Sequence, residues 1–176
     1  MKEVATLFET ILSPGYFEQI ENFKCSSEKD VELFLKEDAL RLQQNNMATT
    51  RLFFNESNKL VGYFTLFNDI VPKISKEKRD KEQWSLPNSK FYPALRLHYI
   101  GVDERFQKKR YGEFLLMRVF DIGRAISEVS GCTFISVEAL ISAVGFYEHY
   151  DFRTIGKHDK RYLNMVFKLE ELNEEY

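Results

Sequence analysis

The feature that most constrains the fold is an abrupt change of pattern near residue 103. Residues 95–102 are mostly apolar, which predicts a buried strand. A short polar turn follows, and the chain then enters a long amphipathic helix predicted over 110–130, with Gly131 as a natural stop. The apolar positions of this helix recur at helical spacing and are Tyr111, Leu115, Val119, Ile122, Ile126 and Val129. A strand that leads directly into a helix of this length predicts an α/β domain.

The other predicted elements complete a mixed sheet flanked by helices. Two aromatic-rich segments joined by the turn Asn55–Asn58 predict a β-hairpin, and Gly62 in its second strand indicates a bulge or a close approach of another backbone. The charged segment from Lys73 to Glu82 predicts an exposed helix, which forms either a solvated surface or a lid over a substrate. Strands are predicted over 17–24, 49–54, 60–67, 133–137, 152–155 and 163–169, and further helices over 28–45 and 142–149.

Length and composition fit a single domain that spans residues 1–176. The chain has 176 residues, of which 44% are hydrophobic and 15% aromatic, and this is enough to fill one globular core. Its net charge of −2 and isoelectric point near 6.0 argue against general binding of polyanions. A ligand that carries phosphate must therefore be met by a local basic cluster.

The cysteines and the N-terminus bear on the cellular context. Cys25 and Cys132 lack the spacing of a metal site, so we expect no metal and two reduced thiols, with one disulfide as the alternative. Glu3 and Glu9 interrupt the apolar N-terminal stretch, which argues against a secretory signal. No apolar run approaches the roughly 18 residues that span a bilayer. The expectation is a cytoplasmic protein with no membrane partner.

The turn that opens the long helix is the best candidate for binding a ligand. Arg105, Lys108, Lys109 and Arg110 place four cations within six residues of a mildly acidic chain. The first turn of a helix has N–H groups without partners and carries the positive end of the macrodipole, and both favour phosphate. Gly112 allows a ligand to approach the backbone. The turn therefore predicts a phosphate or pyrophosphate site, with an ordinary solvated helix start as the alternative; it is neither a P-loop nor a dinucleotide-binding fingerprint.

Two motifs resemble those of the GNAT N-acetyltransferases. The family's pyrophosphate-binding motif, Gln/Arg-x-x-Gly-x-Gly/Ala after a strand, is similar to Ile100-Gly101-Val102-Asp103-Glu104-Arg105-Phe106-Gln107-x-x-Arg110-x-Gly112. The family's Ala-x-x-Phe-Tyr-Glu-x-x-Gly-Phe resembles Ala143-Val144-Gly145-Phe146-Tyr147-Glu148-His149-Tyr150-Asp151-Phe152. The two stand in the family's order, with a helix and a strand between them. Arg110 and Asp151 occupy positions where the family pattern has glycine.

The resemblance implies a fold and a cofactor site. The fold is α/β (α+β), with a mixed, mostly antiparallel sheet of six to seven strands, flanked by helices and splayed at the cofactor site; its motif-bearing core covers about 95–169. Acetyl-CoA is the implied co-substrate, and its pantetheine arm would bond to the backbone of Ile100, Gly101 and Val102. The other residues implied in cofactor binding are Gln107, Lys108, Lys109, Arg110, Tyr111, Gly112 and Phe146.

The implied reaction is direct attack of a primary amine on the thioester. The amine needs a base or a lowered pKa to be neutral at pH 7, and the departing thiolate needs a proton. Tyr147 matches the tyrosine that the family commonly uses as general acid, and a plain core aromatic is the alternative for this position. His98 is the candidate base because its usual pKa suits the task, and Glu138 is a weaker candidate.

Three functions stay open at this point. The first is acetyl transfer to a small amine, a peptide N-terminus or a lysine. The second is an acyl-CoA-binding regulatory module without turnover, because Arg110 and Asp151 depart from the pattern. The third follows from a similarity of Phe23–Cys25, Val31–Ala39 and Leu60–Leu66 to stand-alone bacterial GNATs that include toxins acetylating aminoacyl-tRNA. Such a toxin would have an antitoxin partner, although a net charge of −2 does not favour tRNA. A homodimer is also compatible with the sequence.

Overall fold

The computed structural model describes residues 6–157 and 159–172. Within them the chain forms two compact units. One comprises the residues up to Phe67 together with Leu97–Val119, and the other comprises Asn68–Arg96 together with the residues from Phe120 onward. Glu3, cited above against a signal sequence, lies outside the described residues, and the single domain over 1–176 stays a prediction. The described helices include none with both the length and the apolar character needed to cross a membrane.

The strands within the described residues form a mixed, mostly antiparallel sheet. They are β1 (Phe8–Ile11), β2 (Thr49–Phe54), β3 (Leu60–Pro72), β4 (Phe91–Val102), β5 (Phe134–Leu140), β6 (Arg153–Lys157) and β7 (Tyr162–Lys168). The seven strands are ordered β1-β2-β3-β4-β5-β7-β6. Four neighbouring pairs, β1 with β2, β2 with β3, β5 with β7 and β6 with β7, are antiparallel. The predicted fold class and strand number are confirmed, and the splay at the cofactor site stays a prediction.

The helices follow the predicted positions closely. They are α1 (Phe17–Glu21), α2 (Lys29–Leu33), α3 (Ala39–Gln44), α4 (Lys76–Lys81), α5 (Tyr111–Ser130) and α6 (Val144–His149). A π-helix, Phe34–Asp38, joins α2 to α3, so helical structure runs through most of the predicted 28–45 segment. The predicted helices over 73–82, 110–130 and 142–149 correspond to α4, α5 and α6.

The strand predicted over 17–24 is wrong. Residues in this range form α1 and the turn after it, and the first strand is β1 instead. Pro14 starts a 3-10 turn that leads directly into α1. Ile20 and Phe23, which are 7% and 0% exposed, are three residues apart, and this spacing places both on one face of a helical turn. The loose alternation of apolar residues suits either period, and the burial of this pair decides between them.

The apolar stripe of α5 is buried in its first half and becomes more exposed towards its end. Tyr111, Leu115 and Val119 are buried, whereas Val129 is 88% exposed. Val129 belongs to the last turn of the helix, just before Gly131, whose φ of 78° ends it. A periodic pattern places Val129 on the apolar stripe but does not indicate where the covering surface stops.

In the first unit, β3 and β4 approach closely at Gly62. A Cβ at Gly62 would lie 2.7 Å from the carbonyl oxygen of Gly101 and 2.9 Å from the Leu115 side chain. The register of β2 with β3 also shifts between Phe53, which pairs with Gly62, and Phe54. Both expectations for Gly62, a close backbone approach and a bulge, are confirmed.

In the second unit, the segment between β3 and β4 packs onto the core. α4 buries none of its residues, as predicted, and the Ser75 side chain caps it by accepting a hydrogen bond from the Lys78 N–H at 3.2 Å. The chain after α4 is held by Trp84 and Tyr92, which are buried with ring centroids 5.5 and 5.9 Å from that of Phe134. This anchoring favours a fixed surface over a mobile lid.

Candidate functional site

The loop before α5 has an unusual backbone. It begins with the 3-10 turn Glu104–Phe106, capped by Asp103, and continues through Gln107, which is extended. Lys108 and Arg110 then adopt φ angles of 61° and 64°, in the left-handed region. Side chains other than those of Asn and Asp rarely tolerate this region, at a cost of roughly 1–2 kcal/mol per residue. Two such residues within three positions mark the loop as a candidate functional segment.

Asp103 fixes the start of this loop. Its side chain is fully buried and accepts hydrogen bonds from the backbone N–H groups of Lys24 and Arg105, each at 3.0 Å. It also binds the Arg105 guanidinium at 2.6 and 2.9 Å. The Glu104 N–H donates to the Lys24 carbonyl at 2.8 Å, so the loop and the chain around Lys24 are joined in both directions. Asp103 is not among the predicted site residues, although an aspartate between a strand and a short turn is a usual capping signal.

Two of the four cations in the loop are held by carboxylates. Arg105 is bound by Asp103, so its guanidinium is not available to a ligand as the charge pattern suggested. Arg110 forms two hydrogen bonds of 2.5 and 2.7 Å to Glu113, and its side chain is 75% exposed.

The other two cations of the loop face solvent. Lys108 and Lys109 are both exposed. Neither ammonium group has an ion-pair partner within residues 6–157 and 159–172. The Lys109 ammonium lies 5.7 Å from the centre of the Phe106 ring, a cation–π distance. These two side chains supply the positive charge that the loop presents outward.

The first turn of α5 adds backbone N–H groups. The Phe114 N–H donates to the Arg110 carbonyl at 3.1 Å. The amides of Tyr111, Gly112 and Glu113 therefore precede the first helical hydrogen bond, as the opening amides of any helix do. The helix is 20 residues long, and its macrodipole places partial positive charge at this end. Backbone and charge together suit an anionic group.

The end of β4 is tightly packed and partly bonded to the loop. Gly101 is buried, and a Cβ there would lie 2.4 Å from a neighbouring side chain. The Val102 carbonyl accepts a hydrogen bond from the Gln107 side-chain amide at 3.1 Å, and this amide lies 3.9 Å from the Cys25 sulfur. Of the three residues predicted to bind a pantetheine arm, Val102 thus already has its carbonyl bonded. Ile100 is partly exposed.

The candidate bases lie in different units. His98, on β4 in the first unit, is exposed, with its ring centroid 5.1 Å from those of Phe34 and Phe67 and 4.7 Å from that of Tyr99. Glu138, on β5 in the second unit, lies 2.9 Å from the guanidinium of an arginine on β4. In the described part of the chain, no group of three or more His, Cys, Asp or Glu side chains is arranged to hold a metal ion.

Tyr147 lies on α6 in the second unit, among aromatic rings. Its side chain is buried, with ring centroids of Phe146 and Phe152 at 5.3 and 5.2 Å. Burial raises the pKa of Tyr147 above its usual value of 10. The hydroxyl has no hydrogen-bond partner among the residues that the structure describes. Phe146 is 36% exposed and offers an apolar surface beside it.

The order of the two motifs and the architecture around them correspond to a known family. Residues 16–152 match the model of the acetyltransferase (GNAT) family. The chain belongs to the GNAT acetyltransferase family. It is therefore an acetyl-CoA-dependent N-acetyltransferase, as the resemblance of its motifs implies.

Solved structures of other GNAT proteins share the fold of this enzyme. AtaT complexed with acetyl-methionyl-tRNAfMet is 22% identical, with a TM-score of 0.77 over 94% of this chain and 96% of that one. A tyrosine-to-phenylalanine mutant of KacT is 20% identical, with a TM-score of 0.80 over 97% of this chain and 99% of that one. AtaTR bound with AcCoA is 22% identical, with a TM-score of 0.74 over 93% of this chain and 94% of that one. No curated protein matches the sequence.

Both departures from the GNAT pattern keep the backbone conformation that favours glycine. Arg110 has a φ of 64° and Asp151 a φ of 62°. Asp151 follows α6, where the Phe152 N–H donates to the Tyr147 carbonyl at 3.1 Å and closes the helix. The side chains differ from the family pattern, but the path of the chain at these two positions remains one that glycine would follow.

Proposed function

We propose that this GNAT enzyme transfers the acetyl group of acetyl-CoA to a primary amine, that Gln107–Gly112 binds the pyrophosphate, and that Tyr147 gives a proton to the departing sulfur. The observation that carries the proposal is the backbone of the loop. Two left-handed residues, Lys108 and Arg110, immediately precede a 20-residue helix. Alternation of left-handed and right-handed residues turns successive N–H groups towards one side, and we infer such an anion-binding nest in this loop.

The side chains of the loop have different roles in binding. Lys108 and Lys109 supply exposed positive charge near the nest. Arg110 is paired with Glu113, so we assign it a backbone role rather than a phosphate contact through its guanidinium. Gln107 holds the end of β4 through the Val102 carbonyl, and so positions the loop on the strand.

The remaining predicted cofactor residues are assigned as follows. We assign the pantetheine arm to the backbone of Ile100 and Gly101, because the Val102 carbonyl is bonded to Gln107. Tyr111 is buried at the start of α5, where its amide faces the same end of the helix as that of Gly112. Phe146 contributes the exposed part of its ring as apolar surface.

Tyr147 suits the role of proton donor. In the reaction a C–N bond forms and the C–S bond breaks; the amine loses one proton and the thiolate gains one. Because the pKa of Tyr147 is raised by burial, its hydroxyl stays protonated throughout the neutral range. The hydroxyl has no protein partner in the described part of the chain that competes for this proton. His98 remains the proposed base, since it is exposed and its usual pKa lies near neutrality.

Ligand-dependent stability tests the binding part of the proposal. CoA or acetyl-CoA at 100 times its dissociation constant should raise the free energy of unfolding by about 2.7 kcal/mol. ADP, which carries the pyrophosphate and adenosine but no pantetheine arm, should compete with acetyl-CoA. Adenosine, which lacks the pyrophosphate, should not. Absence of any shift with CoA and acetyl-CoA would contradict the proposal.

Thiol release tests the catalytic part. Acetyl-CoA and a panel of primary amines should give free CoA thiol in proportion to the acetylated amine. Binding of acetyl-CoA without release on any acceptor would instead support a regulatory module.

A second candidate function is acetylation of aminoacyl-tRNA. It is favoured by the similarity to AtaT, whose structure was determined with acetyl-methionyl-tRNAfMet and also, for a mutant toxin, with the antitoxin AtaR. An antitoxin partner belongs to this candidate alone, whereas a homodimer is compatible with both functions. Incubation with charged and uncharged tRNA separates the two functions. Acetylation of charged tRNA at low salt, without acetylation of uncharged tRNA or free amines, would favour the toxin function.

A further inference from the structure

A polar cluster crosses three strands of the second unit. Arg96 on β4 donates to Asp69 on β3 at 2.8 Å and to Glu138 on β5 at 2.9 Å. The Ser136 hydroxyl, two residues before Glu138 on β5, donates to Asp69 at 2.7 Å. Arg96 and Asp69 are 17% and 16% exposed, whereas Glu138 is 40% exposed. The ion pair of Arg96 and Asp69 is thus largely buried, whereas the Glu138 carboxylate is exposed to solvent.

This cluster borders a cavity of about 400 Å³, which is within the size range of small-molecule sites. The described residues that line it include Arg96, Ser136, Glu138 and Asn164 on the polar side. Its apolar lining includes Ile70, Val71, Val137, Ile155, Met165 and Val166. A cavity with one polar edge and an apolar body fits a ligand that is itself charged at one end and apolar along the rest.

The charge of the cluster selects the sign of that ligand. Arg96 has a carboxylate on each side, those of Asp69 and Glu138, which lowers its attraction for an anion. An ammonium group near Glu138 would gain a charge-assisted hydrogen bond to its carboxylate.

We propose that this cavity is the acceptor subsite of the enzyme and takes a primary ammonium carried on an apolar group, with Glu138 binding the ammonium. The inference rests on the proposed amine acetylation and deepens it by naming the substrate class. Glu138 binds the acceptor before proton loss, and the apolar lining selects the attached group. Amines that are polar throughout, such as ethanolamine, should be poor acceptors.

Binding of hexylamine in the presence of CoA, measured by calorimetry, tests the inference apart from turnover. Glu138→Gln removes the charge but keeps the shape, and should weaken hexylamine binding about tenfold. The CoA affinity of this variant should not change. Glu128→Gln, an exposed carboxylate of α5 in the same unit, is the matched control and should bind hexylamine as the wild type does.

A second variant fills the cavity. Gly156 lines it, and a Cβ at this position meets nothing within 4 Å, so a side chain can be added there as Gly156→Phe, with circular dichroism to check that the variant is folded. It should weaken hexylamine binding about tenfold while binding of methylamine, which lacks the alkyl chain, stays the same. Hexylamine binding that neither variant alters would overturn the inference.

The two proposals fail in different ways. If hexylamine is acetylated with an unchanged KM in Glu138→Gln and in Gly156→Phe, the acetyltransferase proposal stands and the acceptor subsite is wrong. If no amine releases thiol but hexylamine binding still responds to both variants, the subsite stands as a binding site and the proposed reaction is wrong.

Discussion

Arg110 and Asp151 adopt almost the same left-handed backbone at two GNAT glycine positions, but in different surroundings. Arg110 precedes α5 on an exposed, cationic loop, and its guanidinium is bound by Glu113. Asp151 follows α6, beside the buried Tyr147, and lies 3.3 Å from Arg153. Aspartate tolerates this conformation and arginine does so rarely. The chain therefore accepts greater strain at the loop that we assign to binding than at the helix end that supports the proton donor.

The two regions also differ in the solvent exposure of their polar side chains. The loop presents the ammonium groups of Lys108 and Lys109 to solvent, whereas most of the Tyr147 side chain on α6 is buried. This difference predicts that the loop governs acetyl-CoA affinity and that α6 governs the rate of the chemical step. Changes in each region should therefore separate KM effects from kcat effects.

The largest effect is expected at Tyr147. Tyr147→Phe removes the proton donor and keeps the ring, so kcat should fall about 100-fold or more, the usual contribution of a general acid. The dissociation constant of acetyl-CoA, measured by calorimetry, should change less than about twofold. Tyr150→Phe, three residues on, is the matched control and should retain most of the activity. A loss of thermal stability equal in both variants, without a selective loss of kcat in Tyr147→Phe, would show that Tyr147 is only a core aromatic.

A smaller effect is expected at the loop. Replacing both Lys108 and Lys109 by alanine should weaken acetyl-CoA binding by about three- to tenfold at low salt, because exposed charges contribute roughly 0.2–1 kcal/mol each. The effect should shrink as salt is added. At saturating acetyl-CoA, kcat should be retained. Lys160→Ala, an exposed lysine of the second unit, is the control. If kcat falls and affinity does not, the assignment of roles to the two regions is reversed.

Much of the fold was predictable because local patterns agree with tertiary packing. The period of α5, the hairpin around Asn55–Asn58 and the close approach at Gly62 all follow from residue types at particular spacings. The strand predicted over 17–24 fails because a short alternating segment is compatible with either a strand or a helix. Only the burial of Ile20 and Phe23 distinguishes them.

The sequence predicted which elements carry the candidate residues, but not the contacts that these residues make. Family motifs located Gln107 and Tyr147, yet no pattern indicates that Arg105 is bound by Asp103. The pairing of Arg96 with Glu138 joins residues 42 positions apart, and such contacts arise from strand order rather than local sequence. Charge counting over a segment thus overstates the cations that a ligand can use.

The comparison between Arg110 and Asp151 is sharpened by replacing each with glycine. Arg110→Gly removes left-handed strain of roughly 1–2 kcal/mol. Part of this gain is offset because glycine costs about 0.5–1 kcal/mol of chain entropy. The net result should be a gain of about 0.5 kcal/mol in the free energy of unfolding, measured in urea. Asp151→Gly should give no gain, because aspartate is less strained and its contact with Arg153 is lost.

Alanine at each position serves as the control. Arg110→Ala and Arg110→Gly both lose the Glu113 contact, but only Arg110→Ala keeps the left-handed strain, so it should be less stable than Arg110→Gly. Equal gains for Arg110→Gly and Asp151→Gly would mean that the two positions are strained alike, and the contrast between the regions would not hold.

The smallest effect is expected at Glu32, whose carboxylate supports the region of the loop before α5. Glu32 is buried, with its carboxylate 2.8 Å from Lys29 and 2.9 Å from Lys36, and it accepts the Cys25 N–H at 3.1 Å. The hydrogen bonds from Lys29 and Lys36 are the main cause that lowers its pKa from 4.5 to about 2.

A depressed pKa in the folded state gives stability that is present above pH 4.5 and is lost as the pH falls towards 2. The stability advantage of the wild type over Glu32→Gln should therefore be constant near neutrality and narrow between pH 4.5 and 2. Urea midpoints at pH 7, 4.5 and 3 measure it, with Glu128→Gln as the exposed control. Glu32 accepts a hydrogen bond from the backbone of Cys25, and the Cys25 sulfur lies against Gln107 of the loop. Acetyl-CoA affinity should therefore decline with the same pH dependence. If the difference in stability between the wild type and Glu32→Gln stays constant over this range, protonation leaves the contacts of the carboxylate unchanged. The carboxylate would then not couple the loop to its support.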